Sequence, residues 1–368
     1  MESQLNLVIV GCGAVVEELH APALRRLERA GAARVAALVD PNPERARRLA
    51  RGFPGAAIHG DLPAAYAGLA GTTVTLVASP PGFHRAHVAA ALAAGSHVLC
   101  EKPFTPSVRD SAELQRLGEA AGRKLAVGMT RRFFPSLATA RRLIHAGTLG
   151  WPLTFACREG SVYAWPITSD APFRREVGGG GVLLDKGVHV LDTLLWLFGP
   201  MQVEQAADDA WRGGVEGNCQ LRLANARTTG TVSLSWDQNL ASGLHVRGPL
   251  AELKVNPDQF RHVEIAKAGG PFERLPTEFK CPATLAGGDA DGVTPATYED
   301  CIWLQWVSFL RAVLRDEPVP VDPAAAVTVT AQIESAYRQM APMRQPWLGA
   351  AENEELARRH WPTQPLPA

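Results

Sequence analysis

The chain has 368 residues, 46% of them hydrophobic and 20% charged, with 37 Lys+Arg set against 37 Asp+Glu. That length is long for one hydrophobic core, so two domains are expected, and a zero net charge offers no bulk field for nucleic acid or an anionic membrane. The six cysteines, Cys12, Cys100, Cys157, Cys219, Cys281 and Cys301, are scattered without the close pairs of a metal or redox site, and no apolar run approaches the ~18 residues of a membrane helix. The opening Met1–Asn6 lacks the basic segment of a leader. These features predict a cytoplasmic protein with reduced thiols, no metal, no nucleic-acid partner and no membrane span.

In chain order, Leu5–Val10 is a continuous apolar run of strand length, as a parallel strand covered on both faces requires. It enters Gly11-Cys12-Gly13-Ala14-Val15-Val16 and then a helical pattern carrying Leu19, Leu24 and Leu27. Strand, glycine turn and helix in that order form the dinucleotide fingerprint: Gly11 permits the turn, and Gly13 lets backbone approach a pyrophosphate at the positive helix start. Val16 stands where a small residue usually packs helix on strand, which predicts a slightly wider separation.

A second strand, Val35–Val39, ends in Asp40, an acidic residue placed to bond the adenosine ribose hydroxyls and repel a 2′-phosphate, favouring NAD over NADP. Asp40 also reads as an N-cap for a helix over Pro43–Arg51. Arg45 leaves NADP possible. A third strand, Val74–Ala78, runs into Ser79-Pro80-Pro81-Gly82-Phe83-His84, and Arg85–Ala94 reads helical. His84 and His87 lie one turn apart without a third ligand, which favours capping or core roles over a metal pair. The short strand His97–Cys100 then stops at Glu101-Lys102-Pro103, since proline cannot donate to a ladder; Lys102 is left at the carboxyl end of a parallel strand, where such sheets bind ligands. A helix over Val108–Ala121 and a strand over Lys124–Gly128 complete a doubly wound parallel sheet. The candidate cofactor contacts are Gly11, Gly13, Ala14, Val15, Asp40, Ser79, Pro80, His84, Glu101 and Lys102.

Near Thr130 the pattern changes. A helix from Arg131 to Leu143 is followed by strands over Leu153–Val162, Val203–Ala210, Asn218–Leu223, Thr229–Trp236, His245–Arg247, Glu252–Val255 and His262–Ala266. Cys219, Leu221 and Leu223 alternate with Asn218, Gln220 and Arg222, and Val232, Leu234 and Trp236 with Thr231, Ser233 and Ser235, which predicts an antiparallel sheet with one polar face. That face is a candidate surface for a homodimer or homotetramer. Between these strands, Gly178-Gly179-Gly180-Gly181 precedes a helix in which Asp185 and His189 share a face at i, i+4, beside an apolar stripe of Leu184, Val188, Leu191 and Leu195. The glycine run lets backbone come close to a ligand. Arg131, Arg132, Tyr163, Trp165, Arg174 and Arg175 have the aromatic and guanidinium chemistry that holds sugars and their anionic groups. The expected domains are 1–129, a Rossmann nucleotide domain; 130–344, an α+β domain with a large, mostly antiparallel open sheet; and 345–368, a tail.

Taken together, Gly11-x-Gly13, Asp40, Glu101-Lys102-Pro103, the glycine run and Asp185-x-x-x-His189, in that order, resemble the Gfo/Idh/MocA oxidoreductases over roughly residues 5–343, with Ile333–Arg338 similar to the closing helix of that family. The resemblance implies an NAD(P)-dependent dehydrogenase acting on a secondary alcohol of a sugar or cyclitol, with Lys102 and His189 carrying proton transfer and Asp185 contacting substrate. Lys102, Arg131, Tyr163, Trp165, Arg174, Asp185 and His189 are the candidate substrate contacts. Alternatives with the same fold are a redox-cycling enzyme that oxidises a sugar transiently before elimination or hydrolysis, and a cofactor-sensing regulator. Val16, Lys186 and the tail depart from the family pattern.

Overall fold

The computed structural model describes residues 4–167, 170–210, 214–280, 285, 294–344 and 348–359. Cys281 therefore lies outside the described residues, as do 345–347 and 360–368 of the tail. The chain divides into two compact units, one of residues 1–130, 281–293 and 297–327 and the other of 131–280, 294–296 and 328–368. The division at Thr130 lies one residue from the sequence boundary, but a continuous 130–344 domain does not describe the chain. The helix Tyr298–Arg315 returns to the first unit, because Ile302, Trp306, Phe309 and Leu310 bury their side chains in the same core as Leu7, Ile9 and Leu24.

The first unit is built on six strands: β1 (Leu5–Val10), β2 (Ala33–Val39), β3 (Ala57–His59), β4 (Thr73–Val77), β5 (His97–Cys100) and β6 (Leu125–Val127). Their spatial order is β3-β2-β1-β4-β5-β6 and every pairing is parallel. Chain order reverses between β1 and β4, which makes their carboxyl ends the ligand-binding edge of a doubly wound sheet. β1 and β5 are buried at every residue, as their unbroken apolar runs require. After β1 the chain forms a π-helix over Val15–His20 before the α-helix Ala21–Arg29. Val16 is fully buried in the core, and the wider i→i+5 winding gives this branched side chain room. The next helix, Pro43–Ala50, is capped by the Asn42 side chain, which accepts from the Glu44 N–H, so Asp40 is not the cap.

The second unit holds β7 (Leu153–Gly160), β8 (Gln202–Asp208), β9 (Asn218–Ala224), β10 (Thr228–Ser235), β11 (Gly243–Arg247), β12 (Ala251–Val255), β13 (His262–Lys267), β14 (Glu273–Pro276) and β15 (Met340–Pro342). They form one sheet in the order β14-β13-β12-β11-β7-β10-β9-β8-β15. It is mostly antiparallel, with two exceptions, the parallel pairs β7–β10 and β8–β15. Cys219, Leu221, Leu223, Val232 and Leu234 are buried while Gln220, Arg222 and Thr231 face outward, as the alternation predicts, but Asn218 and Ser235 at the strand ends are buried as well. The exposed strands β3 and β14 and the three-residue β15 carry too little apolar signal to be read from sequence. Residues Leu183–Gly187 form a second π-helical turn, continued by the α-helix Val188–Phe198, which packs on the helix Pro135–His145. The Arg132 guanidinium clamps the Asp192 carboxylate at 2.6 and 3.1 Å inside this helix layer, so Arg132 is structural. The tail contains a helix, Ala350–Arg359.

Candidate active site

The glycine turn is dictated by its surroundings. Gly11 has φ +90° and its N–H donates to the Val39 carbonyl at 2.8 Å, while a Cβ would lie 2.6 Å from the Ala78 oxygen. Gly13 is different: a Cβ there would meet no atom within 4 Å, which leaves the approach to the turn open. The N–H groups of Val16 and Glu17 both turn back to the Gly13 carbonyl, so the helix begins at Ala14 and Val15 with the unsatisfied amides of any first turn. Asp40 closes the site from β2. Its Oδ2 accepts from the Cys12 N–H at 2.9 Å and its Oδ1 from the Asn42 N–H at 2.8 Å, each oxygen keeping a second lone pair. An open glycine turn, a helix start and a fixed carboxylate together fit a dinucleotide's pyrophosphate and adenosine ribose.

Beyond β4, Ser79 and Pro80 are half-buried at the same sheet edge. His84 is placed differently from a cofactor contact. It is 1% exposed, with Nε2 2.7 Å from the Ser79 carbonyl and Nδ1 2.9 Å from that of Pro103, so it ties the loop after β4 to the loop after β5. Burial lowers its pKa. His87 meets the Ser79 hydroxyl at 2.9 Å, and no His/Cys/Asp/Glu cluster among the described residues could hold a metal. At the tip of β5, Glu101 points inward, its Oε1 2.9 Å from His20 Nε2 and its Oε2 accepting the Lys102 N–H at 3.1 Å. Burial works to raise the Glu101 pKa, and the His20 hydrogen bond works against it. Lys102 itself is half-buried.

In the second unit, Asp185, Lys186 and His189 are the half-buried residues of a helix start that is otherwise buried from Gly181 to Val190. Asp185 Oδ2 accepts the indole N–H of Trp236 at 3.1 Å. Trp236, Tyr163 and Phe173 form a trio of edge-to-face rings with centroids 5.2–6.1 Å apart. Lys186 donates to the Ser161 hydroxyl at 2.7 Å and the Ser235 carbonyl at 3.3 Å, anchoring the helix to the ends of β7 and β10. Arg131 is engaged bidentately with Glu159 at 2.6 and 2.7 Å, whereas Arg174 pairs at 3.7 Å with exposed Asp170 and Trp165 is 38% exposed. Two glycines of the run pack tightly into the interior: a Cβ on Gly180 would strike the Tyr337 hydroxyl, and one on Gly181 the Glu216 carbonyl. Glu216, missed in the sequence because nothing local marks it, accepts from the N–H groups of Gly181 and Leu183 at 3.0 Å and from the Tyr337 hydroxyl at 2.8 Å.

Residues 5–129 match the model of an oxidoreductase family with an NAD-binding Rossmann fold, and residues 137–252 match the GFO/IDH/MocA C-terminal domain. The chain belongs to the Gfo/Idh/MocA oxidoreductase family. Among curated members, inositol 2-dehydrogenase 4 of Saccharopolyspora erythraea is 35% identical over 198 residues, 53% of this chain and 54% of that protein. D-glucoside 3-dehydrogenase of Escherichia coli is 30% identical over 203 residues, 54% of this chain and 55% of its own length. The match therefore spans about half the length of these curated relatives. A levoglucosan dehydrogenase in complex with NADH and levoglucosan shares the fold, with a TM-score of 0.78 over 91% of this chain and 96% of that chain at 20% identity.

In this Gfo/Idh/MocA chain the Gly11 turn carries a direct test. Gly11→Ala places a methyl against the Ala78 carbonyl in a left-handed backbone, and should weaken NAD binding by about tenfold or more, read by quenching of intrinsic fluorescence. Unchanged affinity would remove the turn from the cofactor site.

Proposed function

We propose that the chain is an NAD-dependent dehydrogenase of a secondary alcohol on a sugar or cyclitol. The observation that carries this reading is the face of the helix start at Leu183–Val190, where His189 and Asp185, the latter bonded to Trp236 of an aromatic trio, are left half-buried in a chain whose other unit is an NAD-binding Rossmann fold. The names of the curated relatives, which oxidise inositol and glucosides, support the substrate class.

Oxidation of a secondary alcohol requires a hydride to leave carbon while a proton leaves oxygen. NAD, held by Gly11, Gly13, the Ala14–Val15 helix start, Asp40, Ser79 and Pro80, supplies the hydride acceptor when bound. A neutral His189 imidazole takes the hydroxyl proton near neutral pH. The Lys102 ammonium stabilises developing negative charge on that oxygen. Asp185, its Oδ2 held by Trp236, accepts a hydrogen bond from a neighbouring hydroxyl. The rings of Tyr163, Phe173 and Trp236 suit the C–H face of a sugar. Asp40 favours NAD over NADP because a buried carboxylate repels a 2′-phosphate.

The polar sheet face around Gln220, Arg222 and Thr231 is the proposed contact with a second copy of the chain. The free thiols of Cys12, Cys100, Cys157 and Cys219 support a reducing, cytoplasmic setting. Absorbance at 340 nm over a panel of cyclitols, free sugars and glycosides tests the function. Net NADH from a single substrate, with NADP used at least about tenfold less efficiently, is the expected result. Conversion without net NADH would transfer the chain to the redox-cycling alternative, and silence across the panel would remove the dehydrogenase reading.

A further inference from the structure

A buried hydrogen-bond chain ends at Lys102, and no part of the mechanism above uses it. The helix Tyr298–Arg315 brings Trp306 into the core of the first unit, 0% exposed, where its indole N–H donates to His20 Nδ1 at 3.0 Å. The two rings meet edge to face at 5.9 Å and 90°. An indole nitrogen can only donate, so His20 Nδ1 is an acceptor and carries no proton. The imidazole is therefore the neutral tautomer with its proton on Nε2, and this N–H donates to Glu101 Oε1 at 2.9 Å. The other Glu101 oxygen accepts the Lys102 backbone N–H at 3.1 Å. Gly128 shapes the pocket from β6: a Cβ there would lie 2.8 Å from Glu101 Oε1, so any larger residue would push the carboxylate off the imidazole. His20 is the last residue of the π-helical turn that follows the glycine turn.

We infer that His20, oriented by Trp306, is a positioning residue that fixes Lys102 through the Glu101 carboxylate. The inference rests on the reading of Lys102 as the group that stabilises charge on the reacting oxygen. A carboxylate buried against β5 needs a donor on each oxygen to stay in place. His20 supplies one and the Lys102 amide the other, so the conformation at the strand tip is set by a side chain 81 residues earlier.

The experiment compares His20→Leu, His20→Gln, Trp306→Phe, Lys102→Ala and the double variant His20→Leu/Lys102→Ala as full-length proteins, with the substrate found by NADH release. His20→Leu keeps apolar volume but has no donor, and should lower kcat about tenfold or more with KM changed less than about threefold. His20→Gln, whose side-chain amide can reach Glu101 in place of Nε2–H, should recover most of that loss. Because His20 acts through Lys102, the double variant should be no slower than Lys102→Ala alone, whereas a general loss of fold integrity would multiply the two effects. Without cofactor or substrate, amide hydrogen exchange at residues 100–104 should quicken by about tenfold in His20→Leu while the rest of the parallel sheet keeps its protection. Multiplying effects, or wild-type kcat in His20→Leu, would overturn the inference. Should His20→Leu not fold, Trp306→Phe carries the test, since it keeps an aromatic ring in the core while removing the indole N–H together with the pyrrole half of the ring system: kcat should fall about threefold or more at constant KM, and no change would overturn the inference. Wild-type turnover in Lys102→Ala would instead overturn the reading of Lys102, and the inference with it.

Discussion

His189→Ala is expected to lower kcat by about a hundredfold or more while the affinity for NAD stays within about threefold. The proposed cofactor contacts belong to the first unit and His189 to the second. Packing should survive as well, because His189 is half-buried and its flanking Val188 and Val190 carry the apolar contacts of that turn. If His189 is the base, as proposed, what is lost is the acceptor for the hydroxyl proton, so the variant should also lose the acid limb of the kcat/KM profile, which reports protonation of the free enzyme's base. Lys102→Ala should show a similar fall in kcat without loss of that limb, since an ammonium that stabilises an alkoxide does not accept the proton. Steady-state rates from pH 5 to 9, with NAD binding followed by fluorescence, check both. Normal turnover in His189→Ala would end its assignment as the base.

Much of this architecture was legible because its signals are local. The strand His97–Cys100 has the limits read from the sequence, since four apolar residues are stopped by Glu-Lys-Pro. The alternation at Cys219, Leu221 and Leu223 gave the inner face of β9. What escaped depends on distant partners. Nothing near His20 shows that Trp306 will reach it, and the helix Tyr298–Arg315 falls inside the expected 130–344 domain although its apolar face is buried in the first core. The close packing at Gly180 and Gly181 escapes for the same reason, since it answers to Tyr337 and Glu216, each far along the chain. Likewise Arg131 offers sugar-binding chemistry in the sequence, but Glu159 on β7 engages it in the fold. The π-helical turns at Val15–His20 and Leu183–Gly187 leave no periodic trace, being single turns, yet each sets the register of residues argued here to act in the site.

Glu216→Gln is expected to stabilise the protein at pH 8 and to flatten its pH dependence. Glu216 is fully buried, and burial, reinforced by the negative charge of Asp208, pushes its carboxyl up from 4.5 to about 7. The hydrogen bonds from its own backbone, from Tyr337 and from Leu183 pull the other way without cancelling the rise. Burial, and then the charges of Glu216, Asp208 and Asp209, raise the Cys219 thiol, which stays neutral and adds no charge of its own. With the folded value above the unfolded one, the native state holds the proton more tightly. This contribution is therefore complete below about pH 4.5 and is lost as pH rises through about 7, at a cost of roughly 3 kcal/mol by pH 8. A glutamine keeps an oxygen for the same three donors and has no charge to bury, so its thermal midpoint should exceed that of the wild type at pH 8 and match it near pH 5. Glu216→Ala should be destabilised at both, by about 3 kcal/mol or more, because three buried donors lose their acceptor at the start of the helix that carries Asp185 and His189. Thermal unfolding of the three proteins at pH 5, 6, 7 and 8 decides the matter: an equal pH slope in wild type and Glu216→Gln would show that this carboxyl does not titrate in that range.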